Sequence, residues 1–313
     1  MSKYKIFVDG AVGTTGLRIH ERLSQAEDIE LLTLPEVQRK DLNARLTKLA
    51  EADLTFLCLP DEASKELVAN APSDARICDT STAHRVNADW VYGFAELTGQ
   101  TEKIRKANRV AIPGCHATGY IALVRPLVEM GILSADYPLS CQSLTGYSGG
   151  GKSMIADYEN PNRVDVLNAP RVYGLALKHK HLPEMQMLTQ MKIPPIFTPV
   201  VADFYSGMLV TVPLPISALQ AVKSGEEITK LFADYYQNSK LITVHTFQDL
   251  PEDGMLSANA YSGKDSLDIF VYGNDDQILL VARFDNLGKG ASGAAVQCMN
   301  IMLGRDEISG LEI

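Results

Sequence analysis

Tyr4-Lys5-Ile6-Phe7-Val8-Asp9-Gly10-Ala11-Val12-Gly13-Thr14-Thr15-Gly16 runs from an apolar segment with a β-branched centre into three closely spaced glycines. Tyr4 to Val8 reads as a strand. Gly16 to Leu23 reads as a helix, with Leu17 and Leu23 on its apolar side. Glycines between a first strand and a first helix allow a tight turn and let the backbone approach a pyrophosphate. The helix behind them offers free N–H groups and partial positive charge. The spacing is GxxGxxG rather than GxGxxG, so the pattern gains its meaning from its position. A plain strand-to-helix turn is the alternative.

Working outward, Ile29 to Leu34 is strand-like. Leu42, Leu46 and Leu49 recur at helical spacing. Leu54 to Leu59 is a continuous apolar run suited to a strand buried on both faces. Glu62 to Ala69 reads as a helix, and Ile77 and Val110 to Ile112 mark further strands. This alternation predicts a parallel sheet with helices on both faces. Beyond residue 115 one amphipathic helix carries Tyr120, Leu123, Val124, Leu127 and Val128. Longer strand-like stretches follow at Leu139 to Thr145, Gly207 to Pro213 and Gln277 to Phe284, and a helical tail spans Gly290 to Leu303. The expected fold is α/β. A Rossmann-like doubly wound dinucleotide-binding domain covers residues 1–116, completed by the C-terminal helix of 289–313. An α+β substrate and dimerisation domain with a mixed or antiparallel sheet covers 117–288.

Length and composition support a folded chain of two domains or one large one. Its 313 residues are 46% hydrophobic and 21% charged. With 29 Lys+Arg against 38 Asp+Glu the net charge is −9, which offers no general attraction for nucleic acid or an anionic membrane surface. The start, MSKYKIFVDG, lacks the basic and apolar regions of a signal peptide, and no apolar window approaches a membrane span. Cysteines at 58, 78, 115, 141 and 298 form no CxxC pair. Neither a disulfide framework nor a zinc ribbon is indicated, and a cytoplasmic protein with reduced thiols is expected.

Ala111-Ile112-Pro113-Gly114-Cys115-His116-Ala117-Thr118-Gly119 sets a cysteine between a buried strand and an amphipathic helix. A thiol at a helix N-terminus has a lowered pKa and is more nucleophilic. The bland alternative is a buried core thiol, and Cys58, Cys78 and Cys298 fit it. A nucleophile needs a base, and His179-Lys180-His181-Leu182-Pro183-Glu184 offers two histidines and a carboxylate just before a helix that Pro183 would start. The HxH spacing also suits two metal ligands on one strand face. A third ligand would have to come from the isolated His245 or a carboxylate, so no metal is assigned. His116 is either a functional neighbour of Cys115 or a solvated loop residue.

Gly146-Tyr147-Ser148-Gly149-Gly150-Gly151-Lys152-Ser153 matches GxxxxGK[ST], the pattern of a phosphate-cradling loop. A P-loop leads into a substantial helix, whereas Met154 to Tyr158 allows about one turn before Asn160-Pro161. A glycine-rich loop lining a substrate pocket is the better reading, and a P-loop phosphotransferase is the rival.

A cofactor fingerprint, an activated cysteine and a histidine pair, in this order, resemble the semialdehyde dehydrogenase superfamily. Within it the chain is similar to the N-acetyl-γ-glutamyl-phosphate reductases of the shorter subtype. The match rests on DGAVGTTGLRI at 9–19, DTSTAHR at 79–85, IPGCHATG at 112–119, KHKHLPEM at 178–185 and DNLGKGASGAAVQCMN at 285–300. The long subtype has an aromatic residue or Asn where His116 stands, and an Asp and an aromatic before the Arg of the DTSTAHR segment.

The resemblance implies NADPH-dependent reductive dephosphorylation of N-acetyl-γ-glutamyl phosphate to the 5-semialdehyde through a cysteine thioester, in arginine biosynthesis. Cys115 would be the nucleophile. His181 would be the acid/base, with His179 the second candidate and Glu184 orienting it. Gly10, Gly13, Thr14, Thr15 and Gly16 would hold the pyrophosphate of NADP(H). Ser81 and Ala83 would lie along the cofactor, and Asn286 on its nicotinamide side. Arg85 and Lys152 would recognise the substrate phosphate. Arg39 and Lys40 after the second strand favour NADP, although Glu36 is close by. A homodimer or homotetramer acting on a small acyl phosphate is implied, with neither nucleic acid nor membrane as partner. Other readings are an aspartate-semialdehyde-type enzyme on a related acyl phosphate, a cysteine hydrolase, and a non-catalytic NADP-binding regulator.

Overall fold

The computed structural model describes residues 3–313. One unit runs to Gly114 and takes back Ala291–Leu311. The other holds Cys115–Gly290 and Glu312–Ile313.

In the first unit the chain alternates β1 (Tyr4–Asp9), α1 (Thr14–Ser24), β2 (Ile29–Leu32), α2 (Leu42–Glu51), β3 (Leu54–Leu57), α3 (Asp61–Asn70), β4 (Ile77–Asp79), β5 (Val91–Tyr92), α4 (Gln100–Lys106) and β6 (Arg109–Ala111). The strands form one sheet in the order β2-β1-β3-β4-β6-β5, with every pair parallel. Side chains alternate across it, as the two-residue period of a strand requires. Ile6, Val8, Leu54, Phe56 and Cys78 join a core on one face, while Leu57 and Ile77 join Leu49 and Leu67 on the other. Strand order reverses at β1, because β2 lies on one side of it and β3 on the other. The turn after β1 therefore opens at the switch point where such sheets bind ligands.

The helix α1 buries Gly16, Ile19 and Leu23. Leu17 is exposed, against the sequence expectation. At 100° per residue, positions 17 and 23 lie on different faces, whereas 16, 19 and 23 share one. Asp41 caps α2 by accepting from the Ala44 N–H at 3.1 Å.

The second unit begins with α5 (Cys115–Glu129) and continues through β7 (Ser140–Gly146), α6 (Gly151–Glu159), β8 (Arg171–Val172), α7 (Leu182–Thr189), β9 (Ile196–Ala202), β10 (Met208–Pro215), α8 (Gly225–Tyr236), β11 (Ile242–Val244), β12 (Leu267–Gly273) and β13 (Gln277–Phe284). A π-helical turn at Gly288–Ser292 then leads into α9 (Gly293–Leu303), which lies in the first unit. The sheet is mixed, in the order β11-β12-β13-β10-β7-β9-β8, with β11–β12 and β7–β9 parallel and the other pairs antiparallel.

Most residues of α5 are buried, so the helix is enclosed on nearly all sides rather than amphipathic as its sequence suggested. Gly119 lets it sit against the sheet. A Cβ there would stand 2.5 Å from Val210 Cγ2 and 2.9 Å from Phe284 Cε1. The Gly119→Ala variant is therefore expected to lose about 1–3 kcal/mol of stability through overpacking, despite the helix preference of Ala. Urea unfolding followed by circular dichroism measures this. No described helix is long and apolar enough to cross a membrane.

Candidate active site

In the first unit the turn after β1 carries the glycines. Gly10 has φ +86°, and a Cβ on it would lie 2.2 Å from the Cys58 carbonyl oxygen, just past the end of β3. Only glycine meets both demands. A Cβ on Gly16 would lie 2.5 Å from the Gly10 carbonyl oxygen, so this glycine allows α1 to start close against the loop. Gly13 is different, since its Cβ would meet nothing nearer than 3.4 Å. It caps α1 without a side-chain hydrogen bond, so it leaves the first N–H groups of the helix uncapped by its own side chain. A bare helix start at the switch point fits the pyrophosphate of a dinucleotide.

Beneath the loop, Arg45 Nε donates to Asp9 Oδ2 at 2.7 Å, with both side chains buried. Burial raises the Asp9 pKa, and Arg45 opposes the rise. This pair fastens the end of β1 to α2, and the sequence reading did not find it.

Asp79, at the end of β4, organises the DTSTAHR segment. Its fully buried carboxylate accepts from Ser64 Oγ at 2.8 Å, Ser81 Oγ at 2.8 Å and the Ser81 N–H at 2.9 Å. His84 Nδ1 lies 2.6 Å from it, with the ring stacked on Trp90 at 4.2 Å. Ala83 N–H donates to Ser81 Oγ at 3.2 Å. Ser81 and Ala83 are thus held in one pinned turn. Arg85 is buried in the same turn. Its guanidinium donates to the carbonyl oxygens of Ile112 at 2.9 Å and Thr80 at 3.0 Å. These contacts tie the turn to the segment three residues before Cys115.

In the second unit Cys115 opens α5 and is half-buried. Gly290, in the π-helical turn, makes room for it, because a Cβ there would stand 2.9 Å from the Cys115 Cβ. Donor atoms of Cys115, His116 and His181 all lie within 4.8 Å of one another. His181 is the N-cap of α7, a helix packed on α5. Glu184 is buried on the first turn of α7, with Oε1 3.9 Å from His181 Nε2. His179 is edge-on to His181 at 4.8 Å between centroids, and its Nδ1 accepts the His181 backbone N–H at 3.2 Å.

His116 is a buried bridge rather than a solvated loop residue. Its Nδ1 lies 2.7 Å from Ser143 Oγ and its Nε2 2.6 Å from the Tyr173 hydroxyl. Burial first, then the neighbouring His179 and Lys180, lower its pKa to about 3. Burial and Lys180 lower His179 to about 4. Both rings are neutral at pH 7. Burial, and then the charge of Cys115, raise the Tyr173 phenol. Tyr173 and Ser143 are therefore site residues that the sequence reading missed. Neither stands in a motif: Ser143 lies within β7, and Tyr173 just past the end of β8.

Asn286 is buried, and its amide joins two backbone segments. Nδ2 donates to Ser148 Oγ at 3.0 Å, and Oδ1 accepts the Gly207 N–H at 2.9 Å. Lys152 is exposed on the first turn of α6. That helix is longer than the single turn expected, because it starts inside the glycine run at Gly151. The start of the loop before it is bound to neighbouring backbone. The N–H groups of Gly146, Tyr147 and Ser148 donate to the carbonyls of Gly207, Phe204 and Tyr205 at 2.9–3.0 Å. A Cβ on Gly146 would lie 2.6 Å from the Phe204 and Tyr205 oxygens. Close backbone contact explains the glycine there.

Comparison with known proteins agrees with this arrangement. Residues 5–107 match the semialdehyde dehydrogenase NAD-binding domain, and residues 115–286 match the semialdehyde dehydrogenase dimerisation domain. The chain belongs to the semialdehyde dehydrogenase family. Curated relatives from Brucella suis (strain ATCC 23445 / NCTC 10510) and Brucella ovis (strain ATCC 25840 / 63/290 / NCTC 10512) are each named N-acetyl-gamma-glutamyl-phosphate reductase. Both are 48% identical over 309 residues, covering 97% of this chain and 100% of theirs. Among solved structures, aspartate semialdehyde dehydrogenase II of Vibrio cholerae, complexed with ASA, superposes with a TM-score of 0.73 at 16% identity, covering 97% of this chain and 99% of that one. Aspartate semialdehyde dehydrogenase of Candida albicans, with NADP, gives 0.64 at 15% identity, covering 98% and 100%. These two share the fold.

Proposed function

We propose that the protein reduces N-acetyl-γ-glutamyl phosphate to N-acetylglutamate 5-semialdehyde, with release of phosphate, in arginine biosynthesis. The observation that carries this reading is the half-buried Cys115 thiol at the start of α5, with imidazoles of His116 and His181 within 4.8 Å. Nearly full-length likeness to relatives of that name supports the substrate.

The α5 N-terminus favours the Cys115 thiolate. Sγ attacks the acyl carbon, and phosphate leaves with the electron pair of the broken C–O bond. The product is a thioester on Cys115. The Gly10–Gly16 loop, with Ser81 and Ala83, would hold NADPH, which when bound would supply the hydride for the second half-reaction. His181 provides a proton as negative charge builds on the carbonyl oxygen. It takes the proton back as the C–S bond breaks and the thiolate returns. Glu184 steadies the His181 ring. Exposed Lys40 and partly exposed Arg39 after β2 favour a 2′-phosphate, hence NADP over NAD. Lys152 and Arg85 are assigned to the substrate phosphate, Arg85 chiefly by fixing the turn that Asp79 organises. Asn286 is assigned to the nicotinamide side. The dinucleotide domain is taken as residues 1–116 with 289–313, and the substrate domain as 117–288. The chain is assigned to the short subtype, as a cytoplasmic homodimer or homotetramer.

The reverse reaction tests the reading. N-acetylglutamate semialdehyde, NADP and phosphate should give phosphate-dependent NADPH, followed by absorbance. Turnover with aspartate semialdehyde alone would keep the thioester route and change the substrate. No nicotinamide turnover with either aldehyde would overturn the reading.

A further inference from the structure

We propose that Cys115, His116 and His181 form a binding site for a borderline-soft divalent cation, Zn²⁺ best matching the donor set, and that its occupation silences the thiol. The sequence alone offered His179 and His181 as a ligand pair lacking a third member. Folding supplies a different set, using His181 and the adjacent Cys115 and His116.

Three observations carry the assignment. The first is distance: one donor atom from each residue lies within 4.8 Å of the others. Zn–S of about 2.3 Å and Zn–N of about 2.0–2.1 Å place tetrahedral donors roughly 3.5 Å apart, so the site closes by side-chain shifts of about 1 Å. The second is rigidity. Two ligands share the first turn of α5, and the third caps α7, which packs on α5. The third is outer support. His116 is bonded to Ser143 Oγ on one ring nitrogen and the Tyr173 hydroxyl on the other, so ligation displaces one of these partners and leaves the other holding the ring. Glu184 stands 3.9 Å from Nε2 of His181. Metal-bound histidines usually keep such partners.

One thiolate and two imidazoles suit Zn²⁺ rather than Mg²⁺ or Ca²⁺, which take oxygen ligands. Three protein ligands leave a fourth position to water, the pattern of an open site. Binding exchanges the S–H bond for a Zn–S bond and releases one proton to solvent. The same Sγ cannot then attack an acyl carbon.

Co²⁺ is the probe, because a cobalt–thiolate bond gives a near-ultraviolet charge-transfer band and tetrahedral cobalt absorbs in the visible. The full chain is expected to bind one Co²⁺ with that band, and Zn²⁺ should displace it. Cys115→Ser should lose the band, and His116→Gln should weaken affinity by roughly tenfold or more. Should His116→Gln fail to fold, the unmodified chain gives a second measurement. Zn²⁺ in excess should slow alkylation of Cys115 by iodoacetamide, and EDTA should restore it. An unchanged cobalt band in Cys115→Ser, or alkylation of Cys115 unaffected by Zn²⁺, would overturn the proposal. These readouts report binding rather than turnover, so their failure is separable from failure of the proposed reaction.

Discussion

Replacing Cys115 with serine is expected to lower phosphate-dependent NADPH formation by on the order of 10⁴–10⁶-fold, the scale seen when a covalent nucleophile is removed. The side chain is half-buried at the first turn of α5, beside a glycine that makes room for it. Serine fits the same space, so the melting temperature should hardly move. What changes is the acid. The dipole of a helix start favours the thiolate, whereas a hydroxyl stays protonated at neutral pH. NADP binding, followed by fluorescence titration, should persist, since the Gly10–Gly16 loop is untouched. A rate within about tenfold of the unsubstituted enzyme would remove Cys115 from the chemistry.

For His181→Asn the expected loss is roughly 10²–10⁴-fold in kcat, with the semialdehyde KM little changed, as befits a group that moves a proton in the transition state. His116 is the less suitable proton carrier, because its ring bridges Ser143 and Tyr173 and its pKa is lowered to about 3. His179 accepts a backbone N–H on Nδ1 and is lowered to about 4. Parallel kinetics of His179→Asn decide between the two histidines of the motif. The assignment fails if that variant loses more kcat than His181→Asn.

Several features are readable in the sequence alone. The GxxGxxG turn after β1, the alternation through β3 and the helix after Cys115 all follow from periodicity and turn chemistry within a few residues. The helix α8 is also legible in the sequence. Ser224 caps it by accepting from the Glu227 N–H, and Ile228, Phe232 and Tyr236 recur every four residues on its buried side. The Lys152 loop shows the opposite case. Its letters match a phosphate cradle, yet the decisive quantity is where the Gly146, Tyr147 and Ser148 N–H groups point. That depends on the backbone of residues 204–207.

The sequence by itself determined that a dinucleotide-type turn follows the first strand, that Cys115 starts a helix, and that two histidines precede another. Each is a property of near neighbours, set by steric limits on φ and ψ and by hydrophobic spacing. Tertiary structure alone decided which histidines meet the thiol and that Tyr173 and Ser143 hold His116. It also decided that Asp79 gathers its turn, and that Asn286 joins Ser148 to Gly207. These partners lie far apart along the chain, 57 residues for His116 and Tyr173 and 138 for Asn286 and Ser148. No local preference encodes such a meeting. It arises because sheet register and helix packing bury those polar groups together, and a buried polar group must find a partner or lose the hydrogen bonds it had in water.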